Sequence, residues 1–98
     1  MSKPKLSPER RKIANEVIVM FKDGNPNAAI ATRKYIDGLP HEQQAMLVGL
    51  MILGRRDTND KPEHLEDLIK EYDGEDHGEY LADKPLGNYL RDALSQFA

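Results

Sequence analysis

The most prominent pattern is an apolar run over residues 45–53, which read Ala-Met-Leu-Val-Gly-Leu-Met-Ile-Leu and contain no hydrogen-bonding side chain. The remainder of the chain is polar, and charged residues make up 32% of the whole. A helix that is apolar on every side must be enclosed on every side. The run therefore predicts a buried central helix over about residues 40–53. The side chains expected to be most deeply buried are Met46, Leu47, Leu50, Met51 and Leu53.

The first third of the chain predicts two one-sided helices, because its apolar residues recur every three to four positions. Proline marks helix starts and glycine marks helix ends. The first helix opens at Ser7-Pro8, where the Ser7 hydroxyl can accept a hydrogen bond from an unpaired backbone amide. It ends at Asp23-Gly24-Asn25, and Asn25 caps a second helix that closes at Gly38.

The second half continues in the same way. Pro40 opens the apolar helix, Pro62 opens a helix to about Tyr72, and Pro85 opens a last helix that almost reaches the C-terminus. One further helical turn is predicted at 80–82. No segment alternates between apolar and polar residues as a half-buried strand would. The predicted fold is a compact all-α bundle of five or six helices around the central one.

The length of 98 residues limits the chain to one hydrophobic core. We expect a flexible N-terminal tail over residues 1–6 and a single helical domain over residues 7–98. Nothing near the N-terminus resembles the apolar core of a secretory signal. The longest apolar run is about half of the ~20 residues that span a bilayer. A cytoplasmic protein without a membrane partner is the expectation.

The composition removes several classes of chemistry. With no cysteine, the chain can form neither a disulfide nor a thiolate metal site. His41-Glu42 begins a zinc-protease motif, but Ala45 stands where the second histidine ligand belongs. The acidic loops starting at Asp57 and Asp73 lack the glutamate that a calcium loop needs at its twelfth position. We predict no metal, no cofactor and no catalytic residue, and we favour a protein that is not an enzyme.

The charges are unevenly distributed along the chain. Residues 1–22 carry six Lys or Arg against two Glu, a net +4, and residues 57–84 carry eleven Asp or Glu against three Lys, a net −8. Such polarity can attract a partner or a second copy of the chain. The favoured alternative is a solvated acidic face and a solvated basic tail. Nucleic-acid binding is not favoured, because the basic residues of the first two helices are scattered and the pI is near 5.6.

The junction that follows the apolar helix is the candidate binding site. Arg55, Arg56 and Asp57 place two guanidinium groups and a carboxylate just beyond the buried run. Arginine presents a planar set of donors suited to carboxylates or phosphates of a partner. The alternative is that both arginines pair with Asp57 or with the acidic fourth helix and satisfy the last carbonyls of the apolar helix.

Three stretches carry a resemblance to a known family: LP at 39–40, LVxLMxLGRxD at 47–57 and YLxxKPLxxYL at 80–90. With these motifs the chain resembles a family of small bacterial proteins catalogued as a domain of unknown function, number thirty-seven seventy-five. The resemblance covers roughly residues 36–97. It implies a compact helical protein, typically from proteobacteria, and brings no activity, cofactor or catalytic residue. One departure is Arg56, since the family tends to have glycine or a small residue there.

These observations favour a non-enzymatic bacterial module that acts by contacting an unknown protein partner or a second copy of itself. The alternative is a regulator associated with nucleic acid. A small-molecule or metal-binding enzyme is the third hypothesis.

Overall fold

The chain forms six α-helices in a computed structural model that describes residues 3–21 and 26–98. A 3₁₀ turn at Pro62–His64 leads directly into the fourth helix. The helices are α1 (Pro8–Met20), α2 (Pro26–Asp37), α3 (His41–Arg55), α4 (Leu65–Tyr72), α5 (Gly78–Ala82) and α6 (Leu86–Leu94). The described residues contain no strand. The predicted all-α bundle is therefore confirmed, and the turn expected at 80–82 is the short helix α5.

Helix α3 lies at the centre, as the apolar run predicts. The five side chains expected to be most buried are each no more than 2% exposed. The helix packs most extensively against α6 on one side and α4 on another, while α2 packs mainly against α5. The bundle thus has a dense middle built on α3, with the α2–α5 pair beside it.

Helix α3 approaches its neighbours closely because it has glycine at both contacts. A Cβ added to Gly54 would lie 1.8 Å from the Tyr89 carbonyl oxygen of α6, and one added to Gly49 would lie 2.9 Å from Leu65 Cδ1 of α4. Any side chain at position 54 would therefore collide with backbone. Gly54 fixes the distance between α3 and α6.

The first helix begins as predicted, because the Ser7 hydroxyl oxygen accepts a hydrogen bond from the Arg10 amide at 3.2 Å. The predicted stop at Asp23-Gly24 and the cap at Asn25 lie outside the described residues. No helix in the described ranges is both long and apolar enough to cross a membrane.

The last helix is shorter than predicted. It ends at Leu94, and the chain continues in turns that bury Phe97 before the Ala98 amide donates to the Pro4 carbonyl oxygen at 2.9 Å. Lys3 Nζ donates to the Ser95 carbonyl oxygen at 2.7 Å, and Leu6 is buried. Residues 3–6 thus contact the C-terminal segment. The flexibility of residues 1–6 and the division at residue 7 stay predictions.

Candidate functional site

Arg55 and Asp57 of the predicted site form one ion pair. The Arg55 Nε and Nη2 atoms each donate to a carboxylate oxygen of Asp57 at 3.3 Å. This hydrogen bonding raises the pKa of the Arg55 guanidinium, and the Tyr80 hydroxyl adds to the effect. The pair therefore lies at the end of α3 beside Tyr80 of α5.

Arg56 forms an ion pair with a different helix, α6. Its Nε and Nη2 atoms donate to the two carboxylate oxygens of Asp92 in α6, at 2.6 and 3.0 Å. That contact raises the pKa of Arg56 and lowers the pKa of Asp92. The three predicted residues therefore form two separate ion pairs, and their role in binding a partner stays a prediction. The alternative prediction was that both arginines pair with Asp57 or with the acidic fourth helix. Arg55 does pair with Asp57, but Arg56 pairs with Asp92 of α6.

The backbone at Arg56 has a conformation that favours glycine. Its φ of 58° lies in the left-handed region, where it ends α3. Glycine adopts this conformation without steric cost, whereas a residue with a Cβ does not. Glycine would thus suit the turn better. In this chain the turn carries an arginine that reaches Asp92.

A buried hydrogen-bond network holds the loop before α5 against α3. Gln44 is fully buried, and its amide nitrogen donates to the Leu39 carbonyl oxygen at 3.0 Å while its oxygen accepts from the His77 backbone amide at 2.6 Å. The His77 ring nitrogen Nε2 contacts the Tyr72 carbonyl oxygen at 2.7 Å and therefore donates to it. These hydrogen bonds connect His77, at the end of the loop, to α3 and to the last residue of α4.

Gly78 then places α5 against α2. A Cβ at this position would lie 2.0 Å from Asp37 Oδ1 and 3.1 Å from the Arg33 carbonyl oxygen. A side chain at this position would have to displace the Asp37 carboxylate and would crowd the Arg33 carbonyl oxygen, so glycine favours this close approach of α5 to the last turn of α2. Together with the His77 network, it sets the position of Tyr80 two residues later.

Tyr80 separates two concavities. One is an open groove of about 480 Å³ between α2 and α5, which we name the α2–α5 groove. The other, of about 210 Å³, lies between α3, the end of α4 and α5, and we name it the inner cavity. The residues that line the α2–α5 groove are Ala29, Ile30, Arg33, Glu79, Tyr80, Ala82 and Asp83. The residues that line the inner cavity are Val48, Ile52, Tyr72, Glu75, His77 and Tyr80. We call the two concavities together the Tyr80 surface.

The Tyr80 surface combines exposed apolar side chains with carboxylates, of which Glu75 and Asp83 form no ion pair with any described residue, and Arg33 also lines it. Ile30 and Tyr80 are 61% and 45% exposed, although both are large apolar side chains. Of the eleven carboxylates in residues 57–84, five form ion pairs within the described part of the chain. The other six are Glu63, Asp67, Glu71, Asp73, Glu75 and Asp83. The acidic charge therefore remains largely uncompensated by the protein itself.

Both arginines of α1 make contacts within the molecule. Arg10 pairs with Glu66 of α4 and lies 3.7 Å from Glu42 of α3. Arg11 donates to the Ala98 carbonyl oxygen at 2.8 Å. Two of the arginines that a nucleic-acid-binding helix would present to phosphates are thus already bound.

The described residues bring no three histidine, aspartate or glutamate side chains together as a metal site would require. His41 lies 3.0 Å from Asp76, so it fastens the start of α3 to the acidic loop. The sequence did not identify Ile30, Gln44 or His77 as notable. Gln44 is the last of four polar residues that precede the apolar run, and the sequence does not distinguish it from the other three.

A family model matches residues 30–98 of the chain, more than two thirds of its length, and its description is "Protein of unknown function (DUF3775)". The match covers α3 to α6 completely and all but the first turn of α2. No curated protein and no solved structure matches the chain.

Proposed function

Since the chain belongs to the family of proteins of unknown function DUF3775, we propose its role from its own surface: a non-enzymatic protein-interaction module that binds a basic segment of a partner protein on the Tyr80 surface. The absence of cysteine suits a bacterial cytosol, where we place it.

The observation that carries this proposal is the exposure of Ile30 and Tyr80 on one groove. Exposed apolar side chains scattered singly are common on proteins, whereas adjacent ones bordered by charge are typical of binding surfaces. Tyrosine is also among the residues that contribute most at protein interfaces, because its large ring packs while its hydroxyl stays hydrated.

The negative charge near the Tyr80 surface favours a basic partner. Asp83 lines the α2–α5 groove beside Glu79, which is paired with Arg33 of the same groove, and Glu75 lines the inner cavity; residues 57–84 carry a net −8. A partner with lysine or arginine would be attracted to this region, and an acidic one would be repelled. Arg55 and Asp57, already paired, lie at its edge and would contribute mainly to orientation.

Synthetic peptides test the proposal directly. Three 12-residue peptides carry leucine at the same positions and differ at the positions between the leucines. The basic peptide has four lysines and a central arginine there, the acidic peptide has only glutamates, and the neutral peptide has only glutamines. In a titration followed by ¹⁵N–¹H NMR, we expect the basic peptide to bind, to shift the Ile30 and Tyr80 signals and to weaken with added salt. Equal binding of all three peptides, or of none, would contradict the proposal.

A double variant locates the surface. Ile30→Ser with Tyr80→Ser should bind the basic peptide about tenfold more weakly, since apolar anchors dominate interface energies. The matched control is Val19→Ser, which removes a 68% exposed apolar side chain from α1 and should bind as the wild type does. Circular dichroism confirms that each variant is folded. Unchanged binding by the double variant would place the interaction elsewhere.

A further inference from the structure

We infer that the inner cavity receives one arginine side chain of the basic partner, with its guanidinium against the Tyr80 ring and Glu75. This inference rests on the proposed function and names the chemistry that the cavity recognises. Three features support it: the size of the cavity, the chemistry of its walls and the unpaired charge at its edge.

The cavity has the size of a single side chain. Its volume of about 210 Å³ is below the ~300–1,000 Å³ of most small-molecule sites. A site of this size suits an anchor residue, the arrangement in which one side chain of a partner fills a pocket at the centre of an interface. Among common anchors, arginine is enriched alongside the aromatic residues.

The walls match the two parts of an arginine. Val48 and Ile52 of α3 supply an apolar floor for the methylene stem. Tyr72 and Tyr80 supply aromatic rings on which a guanidinium can stack. The hydroxyl of Tyr72 keeps its proton, because burial and the nearby Glu71 raise its pKa. The ring therefore stays neutral at physiological pH.

Glu75 supplies the counter-charge. Its side chain is exposed, lines the cavity and forms no ion pair or hydrogen bond with any described residue. A carboxylate can accept two parallel hydrogen bonds from a guanidinium, which a lysine ammonium cannot provide. The partner's arginine would thus meet an acceptor that the protein itself leaves unused.

The protein already places a cation on Tyr80. Lys84 Nζ lies 4.9 Å from the centre of the Tyr80 ring, within the range of cation–π attraction. The Arg55 guanidinium pairs with Asp57 and also interacts with the Tyr80 hydroxyl. Arg55 is not among the residues that line the cavity.

The first experiment uses N-acetylargininamide and its neutral isostere N-acetylcitrullinamide in NMR titrations of the whole chain. We expect arginine to shift the Ile52 and His77 amide signals and to bind roughly threefold to tenfold more tightly than citrulline, the range of an exposed to partly desolvated cation–π contact. Equal affinity of the two compounds, or signals that do not move, would overturn the inference.

A pair of variants tests the role of Glu75. Glu75→Gln removes the charge at the cavity and should reduce arginine binding to the citrulline level. Asp73→Asn removes the same charge from the same loop, at an exposed residue that lines neither concavity, and should leave the ratio of the two affinities unchanged. A similar loss in both variants would mean that only the general acidic field acts.

The basic peptide separates this inference from the proposed function. Replacing its central arginine by citrulline should weaken binding about tenfold, whereas replacing one flanking lysine by glutamine should weaken it about twofold. Equal effects would overturn the arginine pocket and leave the docking surface standing. If no peptide binds but N-acetylargininamide still does, the proposed function fails and the pocket remains.

Discussion

The two sides of the bundle differ in how completely their side chains are packed and their charges are paired. On the α3–α6 side, Gly54 lies against the Tyr89 backbone and the charged groups of Arg56 and Asp92 satisfy each other. On the α2–α5 side, Ile30 and Tyr80 remain exposed on the α2–α5 groove, and Asp83 beside them forms no ion pair with any described residue. Packing is complete where the fold is specified and incomplete where we propose that a partner binds.

The largest effect on this contrast should come from Gly54→Ala. Its Cβ would lie 1.8 Å from the Tyr89 carbonyl oxygen, so α3 and α6 must separate. We expect a loss of more than about 3 kcal/mol in the free energy of unfolding, the upper range for overpacking a core. Urea denaturation followed by circular dichroism measures it.

Gly38→Ala is the matched control for that substitution. A Cβ there would meet only the Tyr35 and Lys34 carbonyl oxygens, at 3.5 and 3.6 Å, an ordinary van der Waals contact. Its cost should stay within about 1 kcal/mol, as for a tolerated glycine replacement. Equal destabilisation by the two variants would show that the α3–α6 crossing is no tighter than the rest of the bundle.

A smaller effect should follow from replacing Arg56. Arg56→Gly loses the contact with Asp92 but relieves the left-handed backbone, while Arg56→Ala loses the contact and keeps the strain. We expect the glycine variant to melt roughly 4–8 °C above the alanine variant, the shift typical of a stability difference of ~1 kcal/mol in a domain of this size. Thermal denaturation of both variants under one condition gives the difference. The reverse order would mean that φ at this turn carries no cost.

The smallest effect concerns the attachment of α2 and appears only at alkaline pH. Burial and a hydrogen bond to the Glu16 carboxylate raise the pKa of Tyr35 to about 12, against about 10 in an unfolded chain. The folded state therefore favours the protonated phenol. Its contribution to stability is complete below pH ~10 and is lost as the pH rises towards 12.

Tyr35→Phe should accordingly make the melting temperature fall less steeply between pH 10 and 12. The absorbance titration of tyrosinate should lose its most alkaline component in the same variant. Tyr80→Phe serves as the control, because Tyr80 lies outside this contact, and its melting temperature should follow the wild-type slope. Identical slopes in wild type and Tyr35→Phe would refute the role of the Glu16 contact.

The features that could be predicted from the sequence are those that depend on residues close together in the chain. Helix starts follow from Ser7 and the prolines, and the burial of α3 follows from a run too apolar to face water. The Arg55–Asp57 pair was also within reach, since its members are two residues apart. The partner of Arg56 was not, because Asp92 lies 36 residues further along and is brought near only by the α3–α6 contact.

The candidate surface was less predictable than the fold. The spacing of apolar residues indicates one face for each helix but not how completely a neighbour covers it. Ile30 belongs to one of the two one-sided helices predicted in the first third of the chain, yet it is 61% exposed beside the five-residue α5. A tertiary arrangement, rather than a motif, creates the groove.

The contacts between the two chain ends have a consequence for the connectivity of the fold. The Ala98 amide donates to the Pro4 carbonyl oxygen at 2.9 Å, and Lys3 reaches the Ser95 carbonyl oxygen. Residues 3 and 98 are thus close enough for a short glycine-rich link to join them. The polar loop after Asp57 could then be opened, giving a circular permutant in which the same helices are threaded in a different order.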